Sequence, residues 1–158
     1  MKKILLAYAV LLISIALLAL VKYNVNLSSV IPFAKKNTAT VAINNHNFDL
    51  ILAKSDKEKQ KGLSGTKSLE KNKGMLFVFE KADNYSFWMK DMLFPIDIIY
   101  INDNKVVDLI KNAPIVKDGK NLIIYKPSEK AKYILEINAG LLEEYGIKKG
   151  TKVEFNNL

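Results

Sequence analysis

The chain has no cysteine, one histidine and no arginine, all 24 of its basic residues being lysine. Without cysteine there is no disulfide framework, no thiol nucleophile and no site for lipoprotein acylation. One histidine excludes a histidine-rich metal centre, and His46 lies in a turn with no orienting partner in sequence, so no metal site and no cofactor is expected. Lysine lacks the planar fork that grips a phosphate or a base edge in bidentate fashion, so specific nucleic-acid recognition is not expected. Acids are also missing from the first 48 residues, which carry five lysines up to Lys36. Of the net charge of +8, that terminal stretch supplies +5, and the remainder is close to balanced.

A hydrophobic run is present where charge is absent. Residues Ile4 to Val21, ILLAYAVLLISIALLALV, form 18 uncharged positions, which as a helix would span about 27 Å, enough to cross a bilayer. Lys2 and Lys3 precede the run and no A-x-A site is clear near Val21, so residues 1–22 are expected to be an uncleaved signal anchor and transmembrane helix. The basic flank favours an amino terminus inside, which places the rest outside the cytoplasm. Residues 23–39 turn polar and read as a linker, leaving 40–158 as a single domain of ordinary size.

That domain is dominated by period-two stretches rich in β-branched and aromatic residues. Strands are expected at Thr40 to Ile43, Asn47 to Ala53, Met75 to Phe79, Tyr85 to Lys90, Ile96 to Ile101, Val106 to Ile110, Leu122 to Tyr125, Tyr133 to Ile137 and Lys152 to Phe155. Turns fall at Asn44 to Asn47, Asn102 to Lys105 and Asp118–Gly119. Helical patterns are confined to Asp56 to Leu63, capped by Ser55 or Asp56, and Ala139 to Tyr145, ending at Gly146. The expected fold is mainly β, a compact antiparallel barrel-like domain with one or two short helices, preceded by the transmembrane helix. Closure would remove the exposed edges that such apolar strands otherwise present.

Several motifs are specific when taken together: KGLSG at Lys61 to Gly65, GMLFVF at Gly74 to Phe79, FWMKDMLFPIDIIYI at Phe87 to Ile101, NAP at Asn112 to Pro114, and YILEINAGLLEEYGIKKGTKV at Tyr133 to Val153. In this order they resemble the domain-of-unknown-function 192 family over roughly Val41 to Phe155. The family pattern has arginine where Lys61 stands, and an Asn-Thr pair where Asp91 and Met92 stand. The resemblance implies a small β-rich domain, often exported or membrane-anchored, and no particular reaction.

Candidate functional residues cluster in the aromatic block. Alternation along a strand puts Trp88 and Lys90 on the face opposite Phe87 and Met89. With Asp91 and Asp97 close in sequence, they form a candidate ligand-binding patch of one aromatic platform and charges of both signs. Asp97 shares a face with Ile99 and Ile101, so it is either bonded by turn backbone or perturbed by burial. A second basic surface, Lys54, Lys57, Lys59, Lys61, Lys67, Lys71 and Lys73, is either a solvated helix face or a contact for anionic lipid or an acidic envelope polymer.

Three readings follow from these residues. The first is a membrane-anchored extracytoplasmic module that binds a ligand, or an envelope protein or glycan, around Trp88, Lys90, Asp91 and Asp97. The second is a carboxylate-dependent hydrolase or isomerase with Asp97 as general base tuned by Lys90, although no second acid or nucleophile is paired with it by a motif. The third is a purely structural accessory domain of a larger envelope complex, marked by an exposed apolar patch.

Overall fold

The computed structural model describes residues 4–6, 8, 10–14, 38–116 and 123–158. The chain divides after Asn37, and the β domain occupies the second part. Residues 4–6, 8 and 10–14 are helical, and among the described residues no helix is long and apolar enough to cross a membrane. The rest of the expected span, most of the expected linker and the Asp118–Gly119 turn lie outside the described residues.

Among the described residues of this part there are nine strands and two short helices: β1 (Thr40–Ile43), β2 (His46–Ala53), α1 (Asp56–Lys61), β3 (Lys73–Asp83), β4 (Phe87–Trp88), β5 (Ile96–Asn102), β6 (Lys105–Ala113), β7 (Ile124–Tyr125), β8 (Ala131–Asn138), α2 (Leu141–Glu144) and β9 (Val153–Asn156). The two hairpins are set by asparagine and aspartate, whose short polar side chains tolerate left-handed backbone. Asn44 and Asn45 have φ of 48° and 64° between β1 and β2, and Asp103 and Asn104 have 46° and 57° between β5 and β6.

Seven strands form one sheet in the order β6-β5-β8-β3-β2-β1-β9, while β4 and β7 pair separately. One pairing departs from the expected antiparallel pattern, because β2 and β3 run parallel, with Asp49 opposite Lys73 and Ala53 opposite Phe77. The 19 residues between those strands include α1, and a connection of that length allows the chain to cross back and start its next strand at the same end.

The sheet curls into a half-barrel, and its two edge strands meet at one end. Lys105 bridges to Lys152. There Val106 N–H donates to the Thr151 carbonyl at 2.9 Å, Gly150 N–H to the Val106 carbonyl at 2.8 Å, and Val153 N–H to the Asn104 carbonyl at 2.9 Å. These bonds satisfy edge groups that would otherwise remain open to another chain.

Both faces of the central strands are covered, so β5 is buried from Ile96 to Ile101. On the inner face, Ile99 and Ile101 of β5 pack with Leu76, Leu135, Ile137, Phe48 and Val153, and with Leu141 and Leu142 of α2. On the outer face, Ile96, Ile98 and Tyr100 pack with Phe77, Ile134, Leu63, Met89 and Met92. The outer layer comes from α1 and the turn after it, and from the segment around β4. These pieces are fastened to each other: Ser64 Oγ donates to the Lys90 carbonyl at 2.8 Å, and Gly65 N–H to the Asp91 carbonyl at 2.9 Å. The KGLSG and WMKD motifs thus form one lid over the sheet. Gly62 stands at the turn that makes this approach, with φ +49° and room for a Cβ only 3.3 Å from the Phe77 ring.

Candidate functional site

Asp97 is fully buried and its carboxylate is completely engaged by backbone. Oδ1 accepts the Asn112 N–H at 2.8 Å, and Oδ2 accepts the Leu142 N–H at 2.8 Å. The second bond explains why it sits there. Helix α2 begins at Gly140, which has no side chain to cap it, so an acid on β5 supplies the cap from across the fold and favours the helix N-terminus electrostatically. Asp97 therefore stands apart from Trp88, Lys90 and Asp91. Both of its oxygens are engaged by backbone N–H groups, and it borders neither the groove that those three residues line nor the aromatic cavity beside it.

The other three candidates do lie together. Trp88, Lys90 and Asp91 border a shallow groove with Lys57, Lys61 and Ser64. Trp88 is 49 % exposed, and Asp91 turns the chain with φ of 55°. Alternation holds here as read, with Met89 buried opposite exposed Trp88 and Lys90.

Next to the groove, and sharing Lys61, Ser64 and Trp88 with it, is a cavity of about 280 Å³. Its aromatic lining is Phe77, Phe79, Tyr85, Phe87 and Trp88. Phe77 and Phe87 meet edge to face, with centroids 4.8 Å apart, while Phe79 and Tyr85 stack at 3.5 Å, so the rings brace one another rather than collapse into the space. Lys59 Nζ sits 4.7 Å above the Phe79 ring.

The residue that distinguishes this cavity is Glu136. In register it faces Met75 on β3 and Ile98 on β5, which places it on the outer face beneath the lid. It is 5 % exposed, and its Oε2 has no hydrogen-bond partner. Burial alone pushes its carboxyl up to about 8, because among the described residues no cation offsets desolvation of the charged form. Tyr100, on the same face of β5, is raised as well, first by burial and then by the acids Asp108 and Glu136. Its hydroxyl donates a long bond of 3.4 Å to the Tyr125 carbonyl. Asp108 behaves oppositely. Burial works to raise it, but the Ser128 amide and hydroxyl, the Leu109 amide and Lys149 outweigh that and hold it down to about 2.

Glu136 was legible in one respect: in YILEIN it is the single acid in a run whose neighbours on both faces are apolar. That signal marks a strand buried on both sides and an acid buried with it.

The seven lysines between Lys54 and Lys73 have different neighbours. Lys71 pairs with Glu144 and Lys73 with Glu70, while Lys59 and Lys61 border the cavity. Lys54 contributes its backbone N–H to Glu58 Oε2 at 3.0 Å, beside the box in which Ser55 caps α1. Among the described residues no cluster of three His, Asp or Glu could hold a metal ion.

Fold and site together define a class: a small half-barrel with a lidded aromatic cavity over one buried acid. The family model DUF192, described as Uncharacterized ACR, matches residues 39–155, and the chain belongs to that family. No curated protein matches significantly. Among solved structures, a protein of unknown function from Novosphingobium aromaticivorans DSM 12444 is similar at 32 % identity and a TM-score of 0.66. The match covers 74 % of this chain and 83 % of that one. A protein described as a "putative transcription regulator" from Sinorhizobium meliloti 1021 is similar at 25 % identity and a TM-score of 0.67, covering 76 % of this chain and 93 % of that one.

Proposed function

We propose that the domain is a small-ligand binding module whose site is the aromatic cavity and the adjoining groove of Trp88, Lys90 and Asp91. The observation that carries this reading is Glu136, a buried carboxyl with an unpartnered oxygen at the border of a ready-made apolar space. An unmet buried polar group costs about 1–3 kcal/mol, and a ligand that met it would recover that cost. A concave, largely apolar site with one directional polar group is the usual form of a small-molecule pocket. The all-lysine basic set offers no guanidinium for base edges, so DNA is not the ligand proposed.

In this reading the uncharged run from Ile4 to Val21 anchors the protein in a membrane with the domain outside the cytoplasm. The lysines from Lys54 to Lys73 are then a candidate contact for anionic headgroups or an acidic envelope polymer. Protease accessibility of the domain in intact cells and in lysed cells tests the orientation. The binding reading is tested by thermal-shift screening of the full chain in detergent against a metabolite library. A ligand that stabilises the wild type and fails to stabilise Trp88→Ala and Glu136→Gln supports it, whereas ligands whose effect is indifferent to both substitutions remove the site.

A second reading, docking to an envelope protein or glycan, is favoured by a different observation. Trp88 and Ile124 are opposite each other in the β4–β7 pair and are 49 % and 63 % exposed, a small apolar patch beside the cavity. Pull-down from the native membrane with Trp88→Ala and Ile124→Ser separates the two, since loss of a companion in both variants favours docking.

A further inference from the structure

The polar inventory of the cavity is lopsided. Its acid is buried and uncompensated: Glu136 is 5 % exposed, has an unpartnered Oε2, and among the described residues no lysine stabilises its charge. Its cations are elsewhere. Lys59 is held over the Phe79 ring at 4.7 Å, and Lys61 borders both the cavity and the outer groove with Lys57 and Lys90. The Phe77, Phe87 and Trp88 rings line the same cavity as the acid and the lysines, and their π-faces attract cations while their bulk suits a flat apolar body. Among the described residues, the titratable groups around Glu136 are Tyr100 on β5, which feels its charge, and Tyr85 after β3 with Lys59 and Lys61 in the lid, which line the same cavity.

Resting on the binding reading above, we propose that the cavity takes a small amino compound, with an ammonium group at Glu136, an apolar body between the aromatic rings and an anionic group at the lysine-lined mouth. Each part follows from what is missing or present. A carboxylate in an apolar site lacks a counter-ion, and an ammonium group supplies both the charge and the hydrogen-bond donors that no neighbouring side chain supplies. A ligand carrying only positive charge would meet the lysines on entry, whereas an anionic tail is attracted to them. A carboxylate ligand entering the other way round would place two acids together at the buried end. At neutral pH the protein gives up the Glu136 proton to solvent as the ammonium group binds, so charge and protons balance without another reactant.

Trp88 is the only tryptophan and borders the cavity, so its fluorescence reports occupancy of the full chain in detergent. The probes are 4-(aminomethyl)benzoate and 4-methylbenzoate, which differ only in the ammonium group. The amino probe is expected to bind the wild type at least about tenfold tighter, and the preference is expected to vanish in Glu136→Gln. Calorimetry of the wild type in buffers of different ionisation enthalpy gives a readout that depends on no variant folding: about one proton is released per amino probe bound at pH 7 and none for the methyl probe. Saturable binding of the methyl probe with equal or higher affinity overturns the ammonium assignment and leaves the ligand site standing. Saturation by neither probe, in protein whose melting transition is intact, overturns the ammonium assignment. If no library compound binds in a Trp88- and Glu136-dependent way either, the binding reading falls with it.

Discussion

Two acids on neighbouring strands, Asp97 on β5 and Glu136 on β8, are both buried and lie one register step apart, since Asp97 faces Ile137 and Ile98 faces Glu136. They point to opposite faces of the same sheet. On the inner face Asp97 has two backbone N–H donors at 2.8 Å, while on the outer face Glu136 has an oxygen with none. The inner face is finished: its acid joins β6 and α2 to β5, and packing there is tight enough that a Cβ on Gly74 would fall 2.8 Å from Leu135 Cδ1 and 3.1 Å from the Glu136 carbonyl. The outer face is lidded but hollow. A buried acid is thus structural or available according to whether the chain brings donors to it, and only the available one marks a site.

The largest expected effect comes from titrating the unmet acid. Glu136 is ionised above pH 4.5 in the unfolded chain but stays protonated to about pH 8 when folded. The folded state therefore holds more protons between those limits. Stability is greatest below pH 4.5 as far as this group is concerned and falls as pH rises to 8, by about 5 kcal/mol in all. Glu136→Gln is expected to flatten that slope, as seen in urea melts at pH 5 and pH 8.5. A wild-type profile as flat as the variant's would remove the contrast between the faces.

Next is the met acid. Asp97→Ala deletes two charge-assisted bonds and leaves the Asn112 and Leu142 N–H groups without acceptors, with an expected loss of about 4 kcal/mol. The loss is measured by the same melts at pH 7, and a change under 1 kcal/mol would mean that Asp97 is no more structural than Glu136. Gly74→Ala tests the close inner packing by overfilling it and is expected to cost about 2 kcal/mol. The smallest change is expected at the rim of the hollow face. Trp88→Ala should alter stability by only about 0.5 kcal/mol, as surface substitutions do, while abolishing ligand-induced stabilisation in thermal-shift assays.

Both acids sit in short strings that alternation could place on a face, yet only one of them could be interpreted before the fold was known. Asp97, sharing a face with Ile99 and Ile101, read as either bonded by turn backbone or perturbed by burial, and it is bonded by backbone N–H groups. The donors themselves, at Asn112 and Leu142, could not be named, since they are 15 and 45 residues away. Trp88 with Lys90 and Asp91 was legible because strand alternation and a tight turn are local. The cavity was not, because its lid and its acid are separated by the whole of β3, β5 and β6.

The sequence by itself determined the β-rich domain, its two asparagine-rich hairpins and the motifs that make it a member of its family. Those are properties of backbone conformation and of side-chain period, each fixed within a few residues. Tertiary structure alone decided that β2 and β3 pair in parallel, that β6 and β9 meet to curl the sheet, and that Asp97 caps a helix. It also decided that Glu136, in a strand apolar on both faces, lies under a lid brought from Lys59 to Ser64 and from Tyr85 to Met92. The physical reason is that the burial of an acid is set by what covers it and which donors reach it, and both come from parts of the chain that become neighbours only on folding.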